Sequence, residues 1–294
     1  MNSRRDFIKS TSLFSAGLLL APHEFDFKKK SLIGVQLYTV RDAMQENPAE
    51  TLTKVANIGY NIVEGATYTG SQKFYGMEPA AFLKLLKDNG LSMPSAHYRL
   101  GEEKAKGENV KGTILHEWDK AVDDAAAVGI KYMVCAYLSA DERGGLDHYK
   151  YVADQLNIAG EKCKKAGIQL CYHNHDFEFV KINDTYPMDV LLASDKDLVK
   201  VELDLYWVTR AGMDAVKLFE QHPGRFPLLH LKDMDNTDQK AFTEVGNGVI
   251  NFKEILSHKK QAGVKYSFVE QDRCPGSPFD SITRSMAYIK KNLV

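Results

Sequence analysis

The hydrophobic positions of the chain recur with two spacings that alternate along the sequence. Short runs rich in β-branched and aromatic residues are followed by longer segments in which apolar residues recur every three or four positions, as in amphipathic helices. In the segment 148–166, Val152, Leu156 and Ala159 fall on one helical face and charged residues lie outside it. Eight runs are predicted to form strands: 33–40, 60–66, 91–98, 130–138, 168–175, 199–206, 226–232 and 266–271.

Helices are predicted between and after these strands. Their ranges are 48–58, 78–89, 108–128, 148–166, 186–194, 213–221, 251–262 and 278–293. Five joints between a helix and the next strand contain glycine: Gly59, Gly90, Gly129, Gly167 and Gly263. Glycine suits the end of a helix because that position often takes a positive φ. Eight strand and helix units in about 260 residues predict a single (β/α)8 TIM barrel over 31–294.

A doubly wound open sheet would also alternate strands with helices. Such a sheet is expected to carry a glycine-rich dinucleotide turn after its first strand, and the residues at 38–42 are YTVRD. The closed barrel is therefore the favoured architecture.

The first thirty residues do not follow this pattern. Arg4 and Arg5 precede the moderately apolar stretch TSLFSAGLLLA, and Ala21 with Pro22 suits cleavage, which is typical of a twin-arginine export signal. We predict that 1–30 is an export signal with a short spacer and that the protein is exported to the periplasm. The apolar stretch is shorter than the about 20 residues of a membrane-spanning helix, so no stable membrane anchor is expected.

Composition restricts the partners. The chain has 38 Lys plus Arg against 39 Asp plus Glu, so its net charge of −1 provides no overall attraction to nucleic acid or anionic lipid. Four cysteines, Cys135, Cys163, Cys171 and Cys274, are predicted to be free thiols, most of them buried, because a domain of this size does not depend on disulfides. Both a monomer and a homo-oligomer remain open.

Each of the last four predicted strands ends with imidazole or carboxylate side chains. These are His173 and His175, then Asp204, then His230, then Glu270. The carboxyl ends of barrel strands form the active face, so these groups are expected to converge. A buried carboxylate needs a counter-charge, and a divalent cation is the strongest one available. Nitrogen and oxygen ligands without thiolate predict one Mn²⁺, Mg²⁺, Co²⁺ or Zn²⁺ ion.

Strand alternation predicts which side chains share the inward face. The expected groups are His173 with His175, Glu202 with Asp204 and Tyr206, His230 with Lys232, and Glu270 with Asp272. The turn at 245–248 (VGNG) precedes a predicted helix and suits either an ordinary turn or a phosphate site, with the ordinary turn favoured.

These residues resemble the metal site of the xylose isomerase-like barrels, which include sugar isomerases, epimerases, inosose dehydratases and metal-dependent abasic-site endonucleases. In that family a metal is held by Glu after the fifth strand, Asp after the sixth, His after the seventh and Glu after the eighth. Asp204, His230 within HLKD, and Glu270 match the last three positions. The resemblance covers essentially the whole chain after the predicted signal.

The first position departs from the family pattern, because LCYHN places His173 where Glu is usual. Three candidates for the fourth ligand follow, in order of preference His173, His175 and Glu178. The YHNH pattern is more similar to dehydratase-like branches than to epimerases whose two glutamates act as an acid and base pair.

The resemblance also implies roles for other residues. Glu270, His175 and Lys232 are candidate proton-transfer groups, and Lys232 is also a candidate donor to a developing oxyanion. The residues expected to contact substrate are Gln36, Glu64, His97, Tyr206, Trp207 and Arg273.

The expected activity is that of a metal-dependent enzyme acting on a carbohydrate or cyclitol by proton abstraction next to a carbonyl, through an enediolate. Isomerase or epimerase is the first interpretation. A lyase or dehydratase that eliminates a β-substituent from a 3-keto-glycoside or keto-cyclitol is the alternative. A DNA-repair nuclease is disfavoured by the net charge and the predicted signal, and a non-catalytic sugar-binding barrel is a third, less favoured class.

Overall fold

Eight parallel strands close into a barrel in the computed structural model of this chain, which describes residues 32–102 and 104–294. The strands follow one another around the barrel in sequence order, and the first pairs with the last. In chain order they are Ile33–Gln36, Ile62–Gly65, Ser92–Tyr98, Tyr132–Cys135, Gln169–His173, Val199–Asp204, Leu228–Leu231 and Tyr266–Val269. The predicted TIM barrel is confirmed. The predicted export signal at 1–30 lies outside the described residues and stays a prediction.

The predicted helices are present, with changes at two of them. The α-helices are Arg41–Glu46, Pro48–Ile58, Pro79–Asp88, Trp118–Val128, Leu146–Lys165, Pro187–Leu192, Leu205–Arg210, Ala215–Gln221, Phe252–Ser257, Lys259–Ala262 and Pro278–Asn292. The helix expected over 108–128 begins only at Trp118, after a short 3-10 turn at Glu108–Val110, and the one expected over 251–262 is divided at His258. Within the described part of the chain, no helix combines the length and the apolar character needed to cross a membrane.

The barrel has two apolar layers, one inside the strands and one between the strands and the helices. Inside the barrel, a small buried cluster consists of Ile62, Val134, Cys171, Leu228 and Phe268. The alternate positions of the same strands point outward and join the larger core beneath the helices. Two positions beyond the inner cluster, several strands carry polar side chains on the same inward face. The barrel interior is therefore apolar below and polar at its carboxyl-terminal mouth.

All eight strands are shorter than predicted, and two of them end because a helix begins within the predicted strand. After Gln36 the chain turns into a 3-10 helix, Leu37–Val40, instead of continuing as a strand. The sixth strand ends at Asp204, whose Oδ1 accepts a hydrogen bond from the backbone N–H of Trp207 and so caps the helix that follows. Tyr206 therefore leaves the predicted inward face. Its ring centroid lies 4.4 Å from that of Phe242.

The glycine joints and the cysteines agree with prediction. All five joint glycines have positive φ, from +69° at Gly90 to +109° at Gly59. All four cysteines are free, and three of them are buried.

Candidate active site

Ligand-type side chains from neighbouring strands converge at the mouth of the barrel. One ligand atom from each of Asp204, His230 and Glu270 lies within 4.8 Å of the others. Nδ1 of His230 is 3.0 Å from Oε2 of Glu270 and 3.8 Å from Oδ2 of Asp204. Nε2 of His173 is 3.8 Å from that same Asp204 oxygen. The four residues expected to hold a metal are therefore neighbours in the fold.

The chemistry of these residues fits a divalent cation. Ligand atoms bound at about 2.0–2.2 Å lie about 3–4 Å from one another, and the separations in this group fall in that range. Burial lowers the pKa of His173 to about 3, which leaves a neutral imidazole with a free lone pair. Burial raises the pKa of Asp204 to about 6, because its charge has been removed from water. A cation bound beside Asp204 would favour the ionised form of its carboxyl group.

Asn174 fixes the position of this carboxylate. Its side-chain Oδ1 accepts a hydrogen bond of 3.0 Å from the backbone N–H of Asp204, and Asn174 is fully buried. The YHNH segment therefore supports the sixth strand as well as supplying His173.

Lys232 lies among three carboxylates. Its Nζ is 2.6 Å from Glu270, 2.8 Å from Asp272 and 3.2 Å from Asp204. Burial lowers the pKa of Lys232, but the three carboxylates outweigh it and raise the pKa well above its usual range. The side chain is therefore a charged ammonium inside the mouth, with its Nζ close to three carboxylates.

A deeper polar layer lies beneath this group. Gln36 Nε2 donates a hydrogen bond of 2.9 Å to Oε2 of Glu64, and both residues are fully buried. Nε2 of His97 is 2.8 Å from Oε2 of Glu202. Gln36, Glu64 and His97 were predicted to contact substrate, and each has a side-chain partner within this layer, although Oε1 of Glu64 has none among the described residues. Glu202 was placed on the inward face by strand alternation but was given no role.

The rim of the mouth is aromatic. The ring of His175 lies 5.2 Å from that of Trp207, 5.0 Å from that of Tyr137 and 5.5 Å from that of Phe177. Among the described residues, Nδ1 of His175 and Nε1 of Trp207 are buried polar atoms without a hydrogen-bond partner. These two atoms are therefore free to bond to a polar ligand at the rim.

Three predicted site residues do not join the cluster. Glu178 accepts hydrogen bonds from the Tyr172 hydroxyl at 2.5 Å and the His175 backbone N–H at 2.8 Å, so its carboxylate does not reach inward as the third ligand alternative required. The hydroxyl of Tyr206 donates to the Lys240 carbonyl. Arg273 is exposed.

The turn at 245–248 binds an anion of the protein itself. The backbone N–H groups of Gly246 and Gly248 donate to Oδ2 of Asp233 at 2.9 and 3.0 Å. The N–H groups of Met234 and Ile250 donate to its Oδ1. The final Asp of HLKD therefore fastens this turn, which agrees with the ordinary turn rather than a phosphate site.

The fold and the site together make this chain a TIM-barrel protein with a candidate metal centre. Its barrel is closed, and a buried group of imidazoles and carboxylates lies at the carboxyl-terminal mouth. Within that class the chain belongs to the xylose isomerase-like TIM barrel family, whose model matches residues 52–292.

Two curated relatives are inosose dehydratases. The chain is 23% identical over 262 residues to that of Serratia proteamaculans, covering 77% of this chain and 86% of that protein. It is 26% identical over 165 residues to that of Clostridium perfringens, covering 49% of this chain and 55% of that protein. The chain thus spans little more than half the length of the second relative.

Solved structures share the fold. A sugar phosphate isomerase/epimerase from Parabacteroides distasonis is 29% identical with a TM-score of 0.75, covering 88% of this chain and 93% of that one. The IolI protein with a bound zinc atom is 16% identical with a TM-score of 0.69, covering 89% of this chain and 97% of that one.

Proposed function

We propose that this protein is a divalent-metal-dependent enzyme that removes a proton next to the carbonyl of a carbohydrate or cyclitol and then eliminates a β-substituent. The observation that carries the proposal is the convergence of Asp204, His230 and Glu270, with His173 beside them, at the mouth of the barrel. The family and the names of the relatives support an enzyme acting on polyhydroxylated small molecules.

His173, Asp204, His230 and Glu270 would hold the ion. When bound, a divalent ion supplies Lewis-acid polarisation of carbonyl and hydroxyl oxygens. The zinc atom bound by the distantly related IolI protein supports a divalent metal in this chain, and Mn²⁺, Mg²⁺, Co²⁺ and Zn²⁺ remain the candidates.

His175 is the preferred base for the first proton transfer. Burial, with the nearby His173 and Lys232, lowers its pKa well below the usual value, so the ring is neutral, and its buried Nδ1 has no partner within the described structure. Glu270 is less suited to this role, because its Oε2 already lies 2.6 Å from Lys232 Nζ and 3.0 Å from His230 Nδ1, and because it would hold the ion.

Lys232 and His175 would complete the elimination. Loss of the proton gives an enolate, whose oxygen carries the negative charge that the Lys232 ammonium stabilises. The electron pair on that oxygen then re-forms the carbonyl, the carbon–carbon double bond forms between the α and β carbons, and the β carbon–oxygen bond breaks. Its electron pair leaves with the oxygen, to which the protonated His175 gives its proton. Water or an alcohol is released together with an unsaturated ketone.

Elimination is favoured over epimerisation by the group on the fifth strand. Epimerisation removes a proton from one face of a carbon and returns one to the other face, so it needs two opposed groups. Here His173 replaces the family's first glutamate, and its Nδ1 lies 2.9 Å from Glu202. A second opposed carboxylate is therefore missing at that position.

Isomerisation is the second candidate, because it shares the first step and returns the proton on the same side. The Parabacteroides distasonis structure, named as an isomerase/epimerase, supports it.

Product analysis in deuterated water separates the two candidates. Purified protein loaded with Mn²⁺ would be incubated with a 3-keto-glycoside and with a keto-cyclitol. An unsaturated product supports elimination, and an isomeric product carrying solvent deuterium supports isomerisation. Activity that survives complete chelation by EDTA would contradict both.

Metal binding has a test that does not depend on substrate. Excess Mn²⁺ should raise the melting temperature, since a ligand at 100 times its Kd stabilises by about 2.7 kcal/mol. Asp204→Asn should lose most of this increase. Lys150→Met, at an exposed residue on the outer helix Leu146–Lys165, should keep it.

A further inference from the structure

The two histidines of the candidate metal centre, His173 and His230, each have two different neighbours. One ring nitrogen faces a carboxylate that is a candidate metal ligand, and the other faces a buried glutamate of the deeper layer. For His173, Nε2 is 3.8 Å from Asp204 Oδ2, while Nδ1 is 2.9 Å from Glu202 Oε2. For His230 the roles of the two ring nitrogens are exchanged. Its Nδ1 is 3.0 Å from Glu270 Oε2, while Nε2 is 2.7 Å from Glu64 Oε2.

The deeper layer could itself be considered a second metal site, because atoms of His97, His173, Glu202 and His230 also lie within 4.8 Å of one another. Hydrogen bonds account for this layer without an ion. Oε2 of Glu202 lies 2.8 Å from His97 Nε2 and 2.9 Å from His173 Nδ1, and both contacts have hydrogen-bond geometry. The layer is therefore a hydrogen-bond network.

We propose that Glu202 and Glu64 are positioning residues that select the metal-facing nitrogen of each histidine, Nε2 for His173 and Nδ1 for His230. This inference rests on the proposed metal centre and adds a second layer to it. A carboxylate that accepts the N–H of one ring nitrogen leaves the lone pair on the other, turns the ring, and makes it a better ligand.

The glutamate oxygen that faces each histidine has a second partner. Oε2 of Glu64 also accepts from Nε2 of Gln36, and Oε2 of Glu202 also lies 2.8 Å from Nε2 of His97, whose ring lies parallel to that of His230 at 5.4 Å. Both glutamates are fully buried. Gln36 and His97, predicted to contact substrate, are accordingly assigned to this support.

The network has a consequence for binding. Outer carboxylate partners of ligating histidines typically contribute a factor of about 10–100 in metal affinity. Losing Glu202 should therefore weaken binding without removing any atom that touches the ion, whereas losing Asp204 removes a ligand.

Imidazole ¹⁵N NMR of the zinc-loaded full chain tests the nitrogen assignment. We expect His173 to be protonated at Nδ1 and metal-bound at Nε2, and His230 to be protonated at Nε2 and metal-bound at Nδ1. The reverse assignment at either ring would overturn the proposal for its glutamate.

Calorimetric titration with Co²⁺ tests the energetics in folded protein, with circular dichroism checking each variant. Glu202→Met should raise the Kd about 10–100-fold, and Glu202→Gln, which keeps one neutral acceptor, should raise it less. Glu64→Gln should also weaken binding. Glu244→Gln, at another buried glutamate bonded to Ser281, should bind as the wild type does.

The outcomes separate the two proposals. If the wild type binds Co²⁺ and Glu202→Met binds it equally well, the positioning role is wrong and the proposed metal centre is retained. If the wild type binds neither Co²⁺ nor Zn²⁺, both are wrong.

Discussion

Nζ of Lys232 lies 2.6 Å from Oε2 of Glu270, with side-chain exposures of only 2% and 6%. Glu270 is also a candidate metal ligand, so a fixed cation of the protein and a divalent ion would share one carboxylate. A carboxylate has two oxygens and can serve both. Lys232 thus partly neutralises the mouth when no ion is bound.

Removing this ammonium should make stability depend more strongly on metal. In Lys232→Met, Asp204 and Glu270 lose a buried partner, and breaking a buried ion pair costs about 3–5 kcal/mol. Urea unfolding in EDTA should show a deficit of that order. Excess Mn²⁺ should stabilise the variant by more than it stabilises the wild type, because the ion replaces the lost positive charge.

Lys150→Met is the control for this experiment. Lys150 pairs with Asp147 on the surface, where ion pairs contribute little. A Lys232→Met deficit of equal size with and without Mn²⁺ would show that Lys232 and the metal do not share their carboxylates.

Much of the fold could be predicted because its main signals are local. Alternating spacing and glycine joints identify the order and type of the strands and helices. The ends of elements were less predictable. Tyr206 was assigned to a strand because its neighbours are apolar, but capping by the Asp204 carboxylate starts a helix at Leu205 instead. That hydrogen bond depends on geometry that apolar spacing does not encode.

The convergence of Asp204, His230 and Glu270 was predictable because each lies at the end of its own strand. The site was less predictable where the role depends on a partner distant in sequence. Glu202 shares a face with Asp204, but its partner His97 is 105 residues away. The usable signal was a second inward carboxylate on a buried strand, which requires a partner of its own.

The glycine joints lead to a stability prediction. Gly129 ends the helix Trp118–Val128 with φ +89°, and an added Cβ would meet nothing within 4 Å. Gly129→Ala should therefore destabilise by about 1 kcal/mol through backbone strain alone. Gly276 lies outside the positive-φ region and has equally open space, so Gly276→Ala is the matched control and should not show this loss. Equal urea midpoints for the two variants would contradict the strain argument.

Glu178 should make the protein less stable as the pH rises towards neutrality. Burial raises its pKa from 4.5 to about 7, against hydrogen bonds from Tyr172 and His175 that lower it. An acid with a higher pKa in the folded chain keeps its proton there while the unfolded chain has lost it. Stability is therefore fully present below about pH 4.5 and declines until about pH 7, by about 3 kcal/mol.

Glu178→Gln should remove this decline, because Gln has the shape of the neutral acid and does not ionise. Unfolding free energies measured in urea from pH 5 to pH 7.5 should show the variant gaining on the wild type as the pH rises. Glu244→Gln is the control. Burial raises the pKa of Glu244, but hydrogen bonds and Arg284 lower it overall, so its titration lies below this range. The difference in unfolding free energy between Glu244→Gln and the wild type should stay constant across this pH range. A constant difference for Glu178→Gln as well would show that Glu178 is ionised throughout.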